Sequence, residues 1–228
     1  MEQQKPNIKK AALNSLAVIY ECRSQLARAL ALPFVLLVAL SMVARQDLSA
    51  HISWLLIVPQ VGLISVFFIV MHRIALLGPD SVPRWGLIRW TSRETYFAVH
   101  LVLLWYIAAL PILLADVLPF PAGFVILGFA VIYLAARLML VLPALAIDVG
   151  MSLLGSWRMT KNHQLFMVLV VLLMGVFMVV FRGITYMLIP SLAASFMLTS
   201  LLVGALAVVP VTLLSMAYAE IYRYEYES

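Results

Sequence analysis

Long uncharged stretches alternate with short basic ones along the whole chain. Because a helix needs about 20 apolar residues to cross the hydrocarbon core of a bilayer, each long stretch without Asp, Glu, Lys or Arg is a candidate span. The pattern predicts six spans, in the intervals 29–44, 52–71, 95–115, 117–136, 164–181 and, after Pro190 and Ser191, from Ala194 to Ala219. The first interval is short, so its helix is expected to start earlier in the chain. The sequence therefore predicts an all-α integral membrane protein, a six-transmembrane-helix bundle.

Composition agrees with this pattern. The chain has 228 residues, of which 65% are hydrophobic and 11% are charged, and its mean hydropathy is +1.08. Soluble domains average about 45 to 50% apolar and about 25% charged residues, so this chain has too little polar surface for a water-soluble globule. Cys22 is the one cysteine of the sequence, which excludes an intramolecular disulfide.

The basic residues predict an orientation. With the N-terminus in the cytoplasm, every Lys and Arg except Arg45 and Arg182 falls on the inner side. We therefore expect a multi-pass protein of the cell inner membrane with both termini cytoplasmic and without a cleavable signal peptide. Its predicted parts are a cytoplasmic N-terminus with an amphipathic helix (1–28), a transmembrane domain (29–219) and a cytoplasmic tail (220–228). The net charge of +5 indicates anionic membrane lipid rather than nucleic acid as a partner.

The first amphipathic segment precedes span one. Polar side chains recur on one helical face between residues 9 and 28, namely at Lys10, Asn14, Glu21, Ser24 and Arg28. This spacing predicts a helix at the cytoplasmic interface that bends into the first span near Pro33. Such a helix can anchor the bundle, or it can dock a partner.

The second amphipathic segment lies between spans four and five. Four polar residues recur at every fourth position, which predicts one polar stripe on one helix: Asp148, Ser152, Ser156 and Thr160. Trp157, Arg158 and Lys161 stand at its end. A stripe of this kind can pack on a neighbouring helix, bind a lipid headgroup or line a cavity.

Spans two and three are joined by a basic, aromatic loop. Its candidate contact residues are Arg73, Arg84, Trp85, Arg89 and Trp90. Indole rings and guanidinium groups both favour the headgroup layer of a bilayer. The loop can therefore be a membrane anchor, or it can bind lipid phosphate or a protein partner.

The run AARLMLVLPALAIDVGMSLLGSWRMTKNHQLF carries a resemblance to a known family. It resembles the motif of a bacterial six-span membrane-domain superfamily related to the membrane domain of glycerophosphoryl diester phosphodiesterases. The matching positions are Arg137, Pro143, Asp148, Ser152, Ser156, Trp157, Thr160, Lys161 and Asn162, and His163 departs from the pattern. The Tyr-rich segment AYAEIYRYE is similar to the segment that family members carry after their last span. The resemblance implies a six-span inner-membrane fold and does not imply phosphodiesterase activity.

The sequence lacks the short motifs of several enzyme classes. It contains neither His-Glu-x-x-His nor Gly-x-Ser-x-Gly, and we expect a non-enzymatic protein without a metal or other cofactor. One alternative involves His72 and His100, which the predicted topology places at the same ends of spans two and three. If they face each other, they can ligate haem iron or a chlorophyll-type magnesium.

The function predicted from the sequence is an accessory or scaffold component that binds anionic lipid, a membrane-protein partner or a second copy of the chain. The candidate contacts in the second half of the chain are Arg137, Asp148, Ser152, Ser156, Trp157, Arg158, Lys161 and Asn162. The alternative is a transporter of small molecules or lipids, with a cavity between Arg137 and the Ser152/Ser156 stripe.

Overall fold

The computed structural model describes residues 5–44, 50–114, 122–188 and 205–226, and it contains no strand among them. The predicted all-α class is therefore confirmed. Short 3-10 turns occur at Pro79–Ser81 and Lys161–His163. The helices are α1 Ile8–Glu21, α2 Arg23–Val43, α3 Ala50–Leu77, α4 Ser92–Leu113, α5 Ala122–Leu138, α6 Val141–Ala146, α7 Leu153–Met159, α8 Gln164–Leu188 and α9 Val208–Tyr226.

Five stretches of the described chain are long and apolar enough to cross a membrane. They are Arg23–Val43, Leu55–Leu77, Ser92–Leu113, Val125–Ala146 and Lys161–Ile184, and the fourth combines α5 with α6. These stretches overlap the first five predicted spans. Part of the predicted sixth span, residues 194–204, lies outside the described residues, and the following residues lead into α9.

The C-terminal helix α9 lies at the centre of the packing. Every residue from Pro210 to Tyr218 is buried. Leu213, Ala217 and Ile221 share one apolar cluster with residues of α1, α5, α6 and α8, whereas Val211 joins a second cluster with α2 and α3. A third cluster connects α3, α4 and α6. Helix α9 therefore links the N-terminal and C-terminal halves of the bundle.

The N-terminal helices differ from the prediction in the position of their break. Helix α1 ends at Glu21 and α2 begins at Arg23, whereas Pro33 lies buried inside α2. The Arg23 guanidinium donates to the Tyr20 carbonyl over 2.7 Å, which satisfies one of the last carbonyl groups of α1. The break between the two helices therefore lies at Cys22 and not near Pro33, and a helix packed among others tolerates one internal proline.

The predicted single polar stripe after span four is also wrong, because the chain leaves the helix there. Helix α6 ends at Ala146, and Asp148 has a left-handed φ of 64°. The Asp148 amide donates to the Leu145 carbonyl over 3.2 Å and the Val149 amide donates to the Ala144 carbonyl over 3.0 Å. This pair of bonds is a Schellman motif, with Asp148 at the position that glycine usually takes. Helix α7 then starts anew.

Candidate functional site

A cluster of ion pairs joins three elements at one end of the bundle. The Asp148 carboxylate accepts from Arg73 Nη1 over 3.1 Å and from Arg93 Nη1 over 2.8 Å. Arg73 belongs to α3 and Arg93 to α4, while Asp148 follows α6. The structure thus brings together the predicted candidates Arg73 and Asp148, and it adds Arg93 to them.

Arg73 also holds the ends of two helical elements in place. Its Nε donates to the Ser81 carbonyl and its Nη1 to the Ala146 carbonyl, each over 3.2 Å. Ser81 closes the 3-10 turn after α3, and Ala146 is the last residue of α6. Arg73 therefore has a structural role in addition to its charge.

Glu94 is the buried member of the cluster, with no exposed surface. It accepts the Thr91 amide over 2.7 Å, the Thr91 hydroxyl, and Arg93 Nε over 2.7 Å. The spacing Thr91-x-x-Glu94 is that of a capping box, which starts α4. This motif is visible in the sequence, but the sequence analysis did not use it. The cluster as a whole balances two guanidinium groups with two carboxylates.

The segment from Val82 to Thr91 contains the predicted basic and aromatic residues, and we name it the Arg/Trp segment. Its inner side is tightly packed: Gly86 has φ 66°, and a Cβ there would lie 1.9 Å from the Ala29 carbonyl oxygen. Ile88 packs against two of the apolar clusters. Helices α2, α3 and α4 therefore hold the backbone of the segment in place.

The outer side of the Arg/Trp segment is exposed. Trp85, Leu87 and Trp90 are 56%, 49% and 48% exposed, and Arg84 and Arg89 are exposed as well. The Arg84 guanidinium lies 5.7 Å from the Trp85 ring centroid, and Trp90 Nε1 donates to Thr95 Oγ1 over 3.0 Å. The side chains of this segment that were predicted to lie in the headgroup layer are thus all exposed.

Arg137 has a different environment. Its side chain is 2% exposed, and its Nε and Nη1 atoms are buried without a hydrogen-bond partner. The guanidinium lies over the Trp157 ring, 4.3 Å from the centroid, and Trp157 in turn contacts Tyr133 edge to face. The backbone carbonyl of Arg137 accepts the Ser156 hydroxyl over 2.8 Å.

The hydroxyl groups of the predicted stripe form hydrogen bonds with backbone groups. Ser152 caps α7 by accepting the Gly155 amide over 3.1 Å. The Thr160 hydroxyl lies 2.8 Å from the Ser156 carbonyl and 3.3 Å from that of Arg137. Arg158, Lys161 and Asn162 are exposed. The predicted Arg137 and Ser156 are therefore neighbours, but their contact joins α7 to α5.

The two candidate histidines make separate contacts. His72 is buried, its Nδ1 lies 2.7 Å from Ser215 Oγ, and the Ser215 hydroxyl is 2.9 Å from the Val211 carbonyl. His100 Nδ1 lies 2.8 Å from the Tyr96 carbonyl of its own helix. The hydrogen bond between His72 and Ser215 joins α3 to α9.

Two further side-chain contacts hold α9 to other elements, and neither was predicted from the sequence. Lys10 of α1 lies 3.1 Å from Glu220 of α9, and His163 lies 2.9 Å from Glu225. The residues of each pair are far apart in the chain, so no local spacing pointed to them. Among the described residues, no group of three or more His, Cys, Asp or Glu side chains is arranged to hold a metal ion.

Two apolar grooves open on the helix surfaces. One, of about 320 Å³, lies among α2, α3 and α9 and has Arg23 at its edge. The other, of about 510 Å³, lies between α3 and α4 and is lined by Gly62, Val102 and Trp90, among others. Trp90 therefore has one face on this groove and belongs to the exposed surface of the Arg/Trp segment.

Comparison of the chain with protein-family models, with curated proteins and with solved structures finds no match. The resemblance to the glycerophosphoryl diester phosphodiesterase membrane domain therefore stays a prediction from the sequence.

Proposed function

We propose that this chain is a non-enzymatic, multi-pass protein of the bacterial inner membrane that acts as an accessory or scaffold component and binds anionic lipid through the Arg/Trp segment. The exposed surface of Arg84, Trp85, Arg89 and Trp90 carries this proposal. Guanidinium groups bind phosphate oxygens in a fork, and indole rings favour the interface between headgroups and acyl chains.

The packing beneath this surface supports the proposal. Gly86 and Ile88 hold the backbone against α2 and α3, while the ion-pair cluster fixes the start of α4. The exposed side chains are thus presented by an ordered backbone, which reduces the entropy lost when they bind. Asp148 and Glu94 neutralise Arg73 and Arg93, so the exposed Arg84 and Arg89 are the cations that this region offers to a lipid.

The proposed topology has six spans and cytoplasmic termini. The stretch before and within α9 supplies the sixth span, and α1 and α7 lie near the inner interface. With this orientation the Arg/Trp segment faces the cytoplasmic leaflet, whose anionic lipids attract basic side chains.

Lipid analysis of protein extracted from native membranes in polymer discs tests the proposal. Discs with the wild-type chain are expected to be enriched in phosphatidylglycerol over the bulk membrane. The double variant Arg84→Gln/Arg89→Gln should lose most of this enrichment, since each basic residue near an anionic surface contributes about 1 kcal/mol.

The double variant Lys5→Gln/Lys9→Gln is the matched control, because it removes the same charge from exposed positions at the start of α1. It should retain the enrichment. Equal lipid composition in wild-type discs and in bulk membrane would refute lipid binding, and an equal loss in both double variants would show that net charge, rather than the Arg/Trp segment, attracts the lipid.

A further inference from the structure

Arg137 stands apart from the other buried charges of the described chain. The buried Glu94 pairs with Arg93, and the buried Glu220 pairs with Lys10. His163, also buried, lies beside Glu225. Arg137 is equally buried, yet its Nε and Nη1 atoms have no hydrogen-bond partner. A buried charge without a counter-charge is strongly unfavourable, so this guanidinium is suited to an anion from outside the chain.

The surroundings of Arg137 restrict the kind of anion. The planar guanidinium presents its donors as a fork, which matches two oxygens of a phosphate group. Arg137 lies in the last turn of α5, and its carbonyl contacts Ser156 and Thr160, which shortly precede the apolar stretch that begins at Lys161. Lipid phosphates lie at the border where such a stretch begins, and the same connection between α5 and α8 carries the exposed cations Arg158 and Lys161.

Trp157 controls access to the guanidinium. Its ring covers Arg137 at 4.3 Å, and it is itself partly exposed on the short helix α7. The cation–π contact stabilises the charge in this arrangement, and a phosphate reaches the donors only if the indole side chain rotates away. An incoming phosphate then exchanges a weak contact for charge-assisted hydrogen bonds.

We infer that Arg137 and Trp157 form a second anion site, which binds a phosphate group, either of a phospholipid or of a soluble phosphate compound. The site lies on α5 and α7, away from the Arg/Trp segment between α3 and α4. This site adds a second position to the proposed lipid contact. It consists of other residues than the Arg/Trp segment, so the two sites can be tested independently.

Thermal unfolding of the delipidated full-length protein in detergent tests the site. Three additions are compared: phosphatidylglycerol, phosphatidylcholine, and inorganic phosphate at constant ionic strength. The wild-type Tm is expected to rise by about 2 to 4 °C with one of the phosphate probes, the size of shift that a modest binding energy gives in a chain of this length. A rise with phosphatidylglycerol alone identifies a lipid, and a rise with inorganic phosphate alone identifies a soluble ligand.

In a chain that also carries Arg84→Gln/Arg89→Gln, so that the Arg/Trp segment no longer responds to lipid, the variant Arg137→Met should lose this rise. Without any addition the Tm of Arg137→Met alone should equal or exceed that of the wild type, because the substitution removes an uncompensated buried charge. Arg28→Met is the control, since it removes an exposed cation of α2, outside the proposed site, and should keep the rise. Arg137→Lys retains the positive charge without the forked donors of a guanidinium, and this variant should keep a smaller part of the Tm rise.

Three outcomes would overturn the inference. The first is an unchanged rise when Arg137→Met is added to Arg84→Gln/Arg89→Gln, and the second is the absence of any rise in the wild type. The third is a Tm below that of the wild type for both Arg137→Met and Arg137→Lys in the absence of additions. This result would show that the charge of Arg137 is already compensated within the chain. If only Arg84→Gln/Arg89→Gln loses its lipid response, the Arg/Trp segment binds lipid and the Arg137 site does not.

Discussion

Asp148 shows how one residue can serve both the backbone and the charge balance. Its left-handed φ ends α6, and its carboxylate accepts from guanidinium groups of α3 and α4. The carboxylate is 58% exposed, so solvent screens both ion pairs. The two contributions of Asp148 can be separated by substitution.

Asp148→Gly keeps the backbone conformation accessible and removes the ion pairs, so it should lower the free energy of unfolding by about 1 kcal/mol. Asp148→Ala removes the same pairs and adds the strain of a left-handed residue, which costs about 1 to 2 kcal/mol more. Chemical denaturation of the two variants in detergent measures the difference. Equal stabilities would contradict the role given to the backbone of Asp148.

Gly86 and Gly78 allow a similar comparison. Both have positive φ, of 66° and 88°, but a Cβ on Gly86 would collide with the Ala29 carbonyl, whereas nothing lies within 4 Å of a Cβ on Gly78. Gly86→Ala should therefore be several-fold more destabilising than Gly78→Ala, because the Arg/Trp segment must move away from α2. Thermal unfolding of both variants checks this. A larger loss in Gly78→Ala would refute the packing described for the segment.

At the scale of elements, the uncharged intervals predicted the five apolar helices, because length and lack of charge are what a bilayer demands. The break between α6 and α7 was missed. Aspartate occupies the left-handed position there, and a pattern of polar residues does not distinguish such a residue from one inside a helix. The glycine that usually marks a helix end is absent from position 148.

Helix α1 docks on α9 through a face that the sequence did not single out. Ala11 and Ser15 are buried, and Lys10 pairs with Glu220, whereas Leu13 and Leu16 are more than half exposed. Leu13 and Leu16 are therefore directed away from the bundle, as expected for contact with lipid, whereas Ile8, Ala12 and Val18 pack against the core.

Ser15→Leu should weaken this docking by about 1 to 3 kcal/mol, because the larger side chain has no space in the contact. Leu16→Ala, on the exposed side, should change stability by less than about 0.5 kcal/mol. Limited proteolysis near residue 22, together with thermal unfolding, reports the release of α1. Equal effects of both substitutions would contradict the described packing.

At the scale of the whole molecule, sequence reasoning could not find the central position of α9. In a membrane protein the residues that face lipid and those that face the core are both apolar, so hydropathy does not tell them apart. The candidate contacts were predicted more successfully by residue type than by arrangement. The exposed Arg and Trp side chains follow from their chemistry, whereas the link from Arg73 and Arg93 to Asp148 joins distant parts of the chain.

The proposed orientation can be tested through Cys22, the one cysteine of the sequence, which lies between α1 and α2. An impermeant maleimide should label it in inverted vesicles and not in right-side-out ones. Burial, and secondarily the charge of Glu21, raises the pKa of the Cys22 thiol, so the thiolate is scarce near neutral pH and labelling should accelerate as the pH rises. Labelling in right-side-out vesicles would contradict the proposed orientation.

The most direct test of lipid binding uses the fluorescence of the Arg/Trp segment itself. A chain with Trp54, Trp105 and Trp157 replaced by Phe reports only Trp85 and Trp90. In vesicles, brominated phosphatidylglycerol should quench this fluorescence more strongly than the same fraction of brominated phosphatidylcholine, and Arg84→Gln/Arg89→Gln should abolish the difference. Equal quenching by the two lipids in the chain with both arginines would contradict the proposed recognition of anionic lipid.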